Sequence, residues 1–177
     1  MDNITSSKEN HASWIESLAL EEINMEESGV VNINEHLNAN AILEQSSIGF
    51  MNQLRDSFEV YISKFNEYRG RGGAQIKIFK ISNTINDFML FRNSLRLIIA
   101  RKSSDIVSIG FLSGGKEVFS ARTMEEEKRV TTTTRTHDIE AHIGPFHNVS
   151  WRFNGEPVDV NSLVRYYLSE FIRNSAR

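Results

Sequence analysis

Residues 138–153, DIEAHIGPFHNVSWRF, alternate apolar and polar side chains on both sides of a Gly-Pro-Phe segment. Alternation at a period of two is typical of half-buried strands, so this stretch predicts a β-hairpin. A three-residue loop places the apolar side chains of both strands on one face, because a slip by one residue would turn one strand over. That register pairs Ile139 with Trp151, and on the polar face it pairs Asp138 with Arg152, whose opposite charges favour it.

The same period-two pattern occurs in the sequence ahead of the hairpin. It predicts four strands, of which the last three are separated by short turn segments: Gln75–Ile81, Ser94–Arg101, Ile106–Leu112 and Glu117–Arg122. The segment Asp87–Arg92 fits either a strand or a helix, and residues 123–136 form a polar link. Short links favour antiparallel pairing, since parallel strands need long crossovers.

Two segments carry apolar residues at steps of three and four, which is the helical spacing. One predicts a helix from about Ser47 to Tyr68, and the other a helix from about Asn161 to Asn174 with Asp159 or Asn161 as its cap. Each helix has a single apolar stripe to bury. We therefore expect a two-layer α+β domain: a mostly antiparallel sheet of five or six strands, flanked by an N-terminal and a C-terminal amphipathic helix.

The charge of the chain is divided unevenly along its length. Residues 1–44 hold nine acidic residues and one basic residue, whereas residues 45–177 carry a net positive charge of five. The division predicts an acidic N-terminal arm, residues 1–44, and a single α+β domain, residues 45–177. Within the arm, the pattern from Ser13 to about Met25 predicts a short amphipathic helix that opens with a capping box.

Three apolar residues of the arm, Trp14, Ile15 and Leu18, are candidate partner-binding residues. Their spacing is that of a helix that lies in the groove of another protein. They could equally pack on the chain's own domain, whose charge is opposite to that of the arm. The sequence leaves these two alternatives open.

A second set of candidates is basic and would bind nucleic acid. Arg69 and Arg71 lie in a short Arg-Gly segment that resembles a single copy of an RNA-binding box, although a helix cap with a flexible link explains it as well. Arg92, Arg96 and Arg101 lie in or before a central strand and could add a basic patch. In this alternative the acidic arm competes with phosphate for the domain.

The third candidate site is the polar face of the first hairpin strand, which carries Asp138, Glu140 and His142. Two carboxylates and an imidazole could hold a divalent metal or act as acid and base. A solvated strand face explains the same pattern. The sequence contains no phosphate-binding loop, nucleophile elbow, HExxH motif or dinucleotide fingerprint, so a metal-dependent enzyme is the third of the three hypotheses.

The remaining composition favours a cytoplasmic protein. There is no cysteine, which excludes disulfides and thiolate chemistry and fits a reducing compartment. The N-terminus lacks the pattern of a signal peptide, and the longest dense apolar run, Leu95–Ala100, is too short to cross a bilayer. The first hypothesis is therefore a non-catalytic interaction or regulatory module without a cofactor, which recognises a protein partner or a second copy of itself through the arm, the sheet or both.

Overall fold

A computed structural model describes residues 5–30, 38–113, 116–117 and 136–176 of the chain. The chain divides into two compact units, Met1–Asn38 and Ala39–Arg177, so the predicted arm of residues 1–44 extends into the beginning of the second unit. The described part of the first unit contains helix α1 (Thr5–Ser28), which ends at Gly29 in a left-handed conformation. The capping pattern predicted that this helix starts at Ser13. That prediction is wrong, because α1 begins at Thr5 and Ser13 lies inside it.

The second unit contains the sheet and two further helices, α2 (Ala39–Arg69) and α3 (Val160–Ser175). The predicted cap of α3 is confirmed, since the Asp159 carboxylate accepts a hydrogen bond of 2.8 Å from the backbone N–H of Ser162. The strands are β1 (Lys77–Lys80), β2 (Phe88–Arg92), β3 (Leu95–Ser103), β4 (Ile106–Ser113), β5 (Lys116–Glu117), β6 (His137–Ile143), β7 (Val149–Phe153) and β8 (Glu156–Pro157).

These strands form one antiparallel sheet in the order β1-β2-β3-β4-β6-β7-β8, with β5 paired to β4. The predicted α+β class is therefore confirmed, with more strands than the five or six expected. The difference arises because the ambiguous segment before Asn93 is a strand, β2, and because β8 is a pair of residues too short to show a period. The predicted strand at residues 117–122 and the link at residues 123–136 lie almost wholly outside the described residues.

One face of the sheet holds the core and carries α2 and α3. Phe58 of α2, Phe88 of β2 and Phe171 of α3 are completely buried in the same apolar cluster. Trp151 of β7 stacks on Phe50 of α2, with ring centroids 4.5 Å apart and planes at 4°. Fully burying such a side chain contributes about 1.5–3 kcal/mol, so these contacts fix the helices on this face.

The β6–β7 hairpin forms, but its predicted register is wrong by two residues. Ala141, not Ile139, lies opposite Trp151, and the loop spans residues 144–148. That loop contains a 3₁₀ turn, Pro145–His147, and includes two residues with positive φ. A shift by two residues leaves every side chain on the same face, so alternation alone could not distinguish the two registers.

The change of register also alters the predicted cross-strand charge pair. Arg152 lies opposite Glu140 and not opposite Asp138. Asp138 lies instead opposite Ser108 of β4, on the other side of β6. The Asp138 carboxylate accepts a hydrogen bond from the Ser108 hydroxyl.

Candidate interaction surfaces

Helix α1 exposes five large apolar side chains: Trp14, Ile15, Leu18, Leu20 and Ile23, each between 43% and 63% accessible. The first three are the predicted partner-binding residues, and the structure leaves them exposed. At 100° per residue, Trp14 and Leu18 lie on one side of the helix while Leu20 and Ile23 lie on the other. The prediction missed this second pair because it followed a single apolar stripe.

The exposed apolar residues of α1 alternate with acidic ones. Residues 14–28 contain five glutamates and neither lysine nor arginine. The surface of this helix is therefore both apolar and negatively charged. A helix with apolar residues on two sides has no single stripe by which to bury them.

Two of the five candidate arginines, Arg92 and Arg101, donate hydrogen bonds inside the second unit. The Arg92 side chain is only 4% exposed, and its Nε donates a hydrogen bond of 2.9 Å to the backbone oxygen of Ala74. The Arg101 guanidinium pairs with the Glu44 carboxylate and donates a hydrogen bond of 2.7 Å to the Ser47 hydroxyl. Both arginines project toward the helices.

The other three arginines lie elsewhere. Arg96 is exposed on the opposite face of the sheet, 5.8 Å from the centre of the Phe91 ring. Arg69 folds back over Gly73, where an added Cβ would come within 2.7 Å of its Cζ, and Arg71 is exposed. The structure therefore does not gather Arg92, Arg96 and Arg101 on one surface, and nucleic-acid binding through the arginines stays a prediction.

The candidate metal residues lie along β6 as the alternation predicts, but Asp138 is occupied by other groups. Its carboxylate accepts hydrogen bonds from Lys102 Nζ at 2.9 Å, from Thr136 Oγ1 at 3.3 Å and from the Ser108 hydroxyl. Burial acts to raise the pKa of Asp138, but the hydrogen bonds and the Lys102 charge outweigh it and lower the pKa. Glu140 and His142 are exposed. In the described ranges, no three His, Asp or Glu side chains are grouped as a metal ion requires.

A cavity of about 380 Å³ lies between the β6–β7–β8 side of the sheet and the first turns of α3. The His137 ring bonds through Nδ1 to the Tyr167 hydroxyl inside it. Burial, followed by the neighbouring Tyr166, raises the pKa of Tyr167, so its hydroxyl stays neutral. The lining is mainly apolar and aromatic, with two carboxylates: His137, Ile139, Phe153, Glu156, Pro157, Val158, Asp159, Ser162, Leu163, Tyr166 and Tyr167.

This cavity is hard to predict from the sequence. Tyr167 fits the apolar stripe of α3, and the cavity residues come from two separate stretches of the chain, 137–139 and 153–167. The adjacent pair Tyr166 and Tyr167 is the one local signal, because two neighbouring aromatic residues on a helix cannot both point into the same core.

Comparisons with protein-family models, with curated proteins and with solved structures find no match to this chain. No helix in the described ranges is both long enough and apolar enough to cross a membrane.

Proposed function

We propose that the protein is a non-catalytic interaction module that recognises a protein partner through α1. One observation carries the proposal: the five large apolar side chains of α1 are exposed, on two sides of the helix. Most helices in proteins gain their stability by burying an apolar face and not from intrinsic propensity. A partner that covers Trp14 and Leu18 would supply that burial, and tryptophan is a common anchor of protein interfaces.

The charge of α1 indicates the kind of partner. Five glutamates lie among the apolar residues of positions 14–28. A groove with an apolar floor and basic side chains at its rim would complement both properties. Direct pairing of α1 with a second copy would bring glutamates together, so we favour a different protein over a homodimer. The proposed setting is the cytoplasm, in keeping with the cysteine-free sequence.

The test compares two double variants of the full chain. Trp14→Ala with Leu18→Ala shortens the anchors on α1, whereas Val60→Ala with Tyr68→Ala shortens side chains that are 67% and 82% exposed on α2. Affinity capture from native lysate, quantified by isotope labelling, is expected to yield a protein that the control variant retains and the α1 variant loses. Equal capture by both variants would contradict the proposal.

Light scattering after size-exclusion chromatography tests whether the partner of α1 is a second copy of the chain. If the unaltered chain is a dimer and the α1 variant a monomer, the partner of α1 is a second copy. If both have the same mass, α1 does not mediate self-association.

Nucleic-acid binding has less support, because Arg92 is buried and Arg101 pairs with Glu44. Its test is fluorescence anisotropy at low salt, with single-stranded RNA and the full chain. Under this alternative, Arg71→Ser with Arg96→Ser would weaken binding and reduce its salt dependence.

A further inference from the structure

Aromatic rings at steep mutual angles form much of the wall of the cavity beside α3. The rings of Tyr166 and Tyr167 have centroids 5.2 Å apart and planes at 86°. The Tyr167 ring meets the His137 ring at 60°, and the His137 ring meets that of Phe153 at 56°. Walls of this kind build the aromatic cages that bind quaternary ammonium groups, since the face of each ring is negative.

The charge of the lining has the sign that a cation requires. Glu156 and Asp159 contribute carboxylates, and the lining contains neither lysine nor arginine. Hydrogen bonds from Ser162 lower the pKa of Asp159, so it is ionised near neutral pH. Across the described ranges, Glu156 has no hydrogen-bonding or ion-pair partner, which leaves its carboxylate available to a ligand.

The remaining properties narrow the class of cation. A metal ion needs several polar ligands, whereas this lining is mainly apolar and lies outside any group of three His, Asp or Glu in the described residues. The methyl groups of a methylated ammonium can pack against the apolar side chains of Ile139 and Leu163. An unmethylated ammonium is strongly hydrated and would lose that water in the same place. A volume of about 380 Å³ falls in the usual range of small-molecule sites, roughly 300–1,000 Å³.

We propose that this cavity binds a methylated ammonium group, held against Tyr166 and Tyr167 with Glu156 balancing its charge. The group could belong to a free quaternary amine or to a methylated lysine side chain, and the chemistry of recognition is the same for both. The site lies within the second unit. It does not depend on the partner proposed for α1.

The test is a titration of the full chain with small ligands, in which binding is measured by calorimetry and by the shifts of backbone amide resonances in NMR. The probes are choline, its neutral isostere 3,3-dimethylbutanol, and a peptide with trimethyllysine beside its unmethylated form. Choline is expected to shift the resonances of residues 156–167 and to bind roughly 2- to 30-fold more tightly than the isostere, the range of cation–π contributions. Tighter binding of the methylated peptide than of choline would assign a side chain as the source, and the reverse order a free amine.

Variants connect the binding to the rings and the charge. Tyr166 is half-exposed and Glu156 is exposed, so Tyr166→Leu and Glu156→Gln should leave the fold intact, which thermal unfolding checks. Each should weaken choline binding, whereas Tyr68→Leu, at an exposed tyrosine of α2, should not. Equal affinity for choline and the isostere, no binding of either cationic probe, or unchanged affinity in Tyr166→Leu would overturn the proposal.

Discussion

Replacing Arg92 with methionine tests whether a buried cation stabilises the second unit. Arg92 lies at the end of β2, and its guanidinium reaches the last turn of α3, where it donates hydrogen bonds to the Ile172 oxygen at 3.4 Å and the Ser175 hydroxyl at 3.3 Å. The same group lies 5.2 Å from the centre of the Phe65 ring. The negative end of the helix dipole and the face of a ring thus surround the charge.

The expected cost follows from these contacts. The hydrogen bond of 2.9 Å to the Ala74 oxygen has a charged donor, which is worth about 1.5–3 kcal/mol. The ring contact adds about 0.5–2 kcal/mol, and the two longer hydrogen bonds add less. Removing a buried charge returns part of this sum, because the folded chain no longer has to desolvate it. We expect Arg92→Met to lower the free energy of unfolding by about 2–4 kcal/mol, toward the upper part of the usual range for single substitutions.

Urea unfolding followed by circular dichroism measures this difference. The matched control is Arg96→Met, which removes an exposed guanidinium from the opposite face of the same sheet and should change the free energy by no more than about 0.5 kcal/mol. Arg92→Lys keeps the charge but not the planar guanidinium group, so its loss of unfolding free energy should lie between those of Arg92→Met and Arg96→Met. If Arg92→Met is as stable as the unaltered chain, the desolvation of the guanidinium cancels its contacts and the reasoning is refuted.

Three further outcomes can be measured on the same unfolding curves. Asp159→Ala removes the cap of α3 and should cost about 0.5–2 kcal/mol; no change would mean that the cap is not needed. Gly110→Ala would place a Cβ 2.8 Å from Thr136 Cγ2 and should cost about 1–3 kcal/mol. Adding Thr136→Ser, which removes Cγ2, should recover part of that cost. If the effects of the two substitutions on stability simply add, the clash is contradicted. Because the fold lowers the pKa of Asp138, the unfolded chain binds its proton first as the pH falls, so stability should decline below about pH 4. Asp138→Asn should flatten that decline, and an unchanged pH profile would count against the lowered pKa.

The sequence predicted the parts of the fold that local patterns determine. Helix α3 has one apolar stripe and a carboxylate at its start, and the structure contains both, with Asp159 as the cap. The two-layer class follows from the change of period between the helices and the strands. These features need only the spacing of residues near one another in the chain, which is the information a sequence displays directly.

The hairpin register shows where local patterns stop. Ile139 and Ala141 are both apolar and both face the core, so either could have met Trp151. The choice between them depends on the backbone of the loop, in which Phe146 and His147 adopt positive φ. Histidine is among the residue types enriched at positive φ, but phenylalanine is not, so the composition of this loop does not predict two consecutive residues of that kind.

The burial of Arg92 and the cavity beside α3 both depend on contacts between segments that are distant in the sequence, so neither could be predicted from local patterns. Arg92 looked like a surface cation because its neighbours along the chain do not reveal that α3 ends over it. The cavity beside α3 combines residues 153–167 with His137 and Ile139 of β6, which lie beside that stretch only after folding. A charge or a ring is visible in a sequence, but the element that covers it is not.

Part of the positive charge of the second unit is paired within that unit, which changes the interpretation of the uneven division of charge along the chain. Three positive charges of the second unit make contacts within that unit. Arg92 donates a hydrogen bond to the end of α3, Arg101 pairs with Glu44, and Lys102 pairs with Asp138. Glu44, counted with the acidic arm, belongs to α2 and forms one of these pairs. The glutamates of α1 have no such cationic partner among residues 14–28, and they lie beside exposed apolar side chains. A surface that is both negative and apolar is best satisfied by a basic, apolar groove, and this combination of properties favours a search for that groove on another protein.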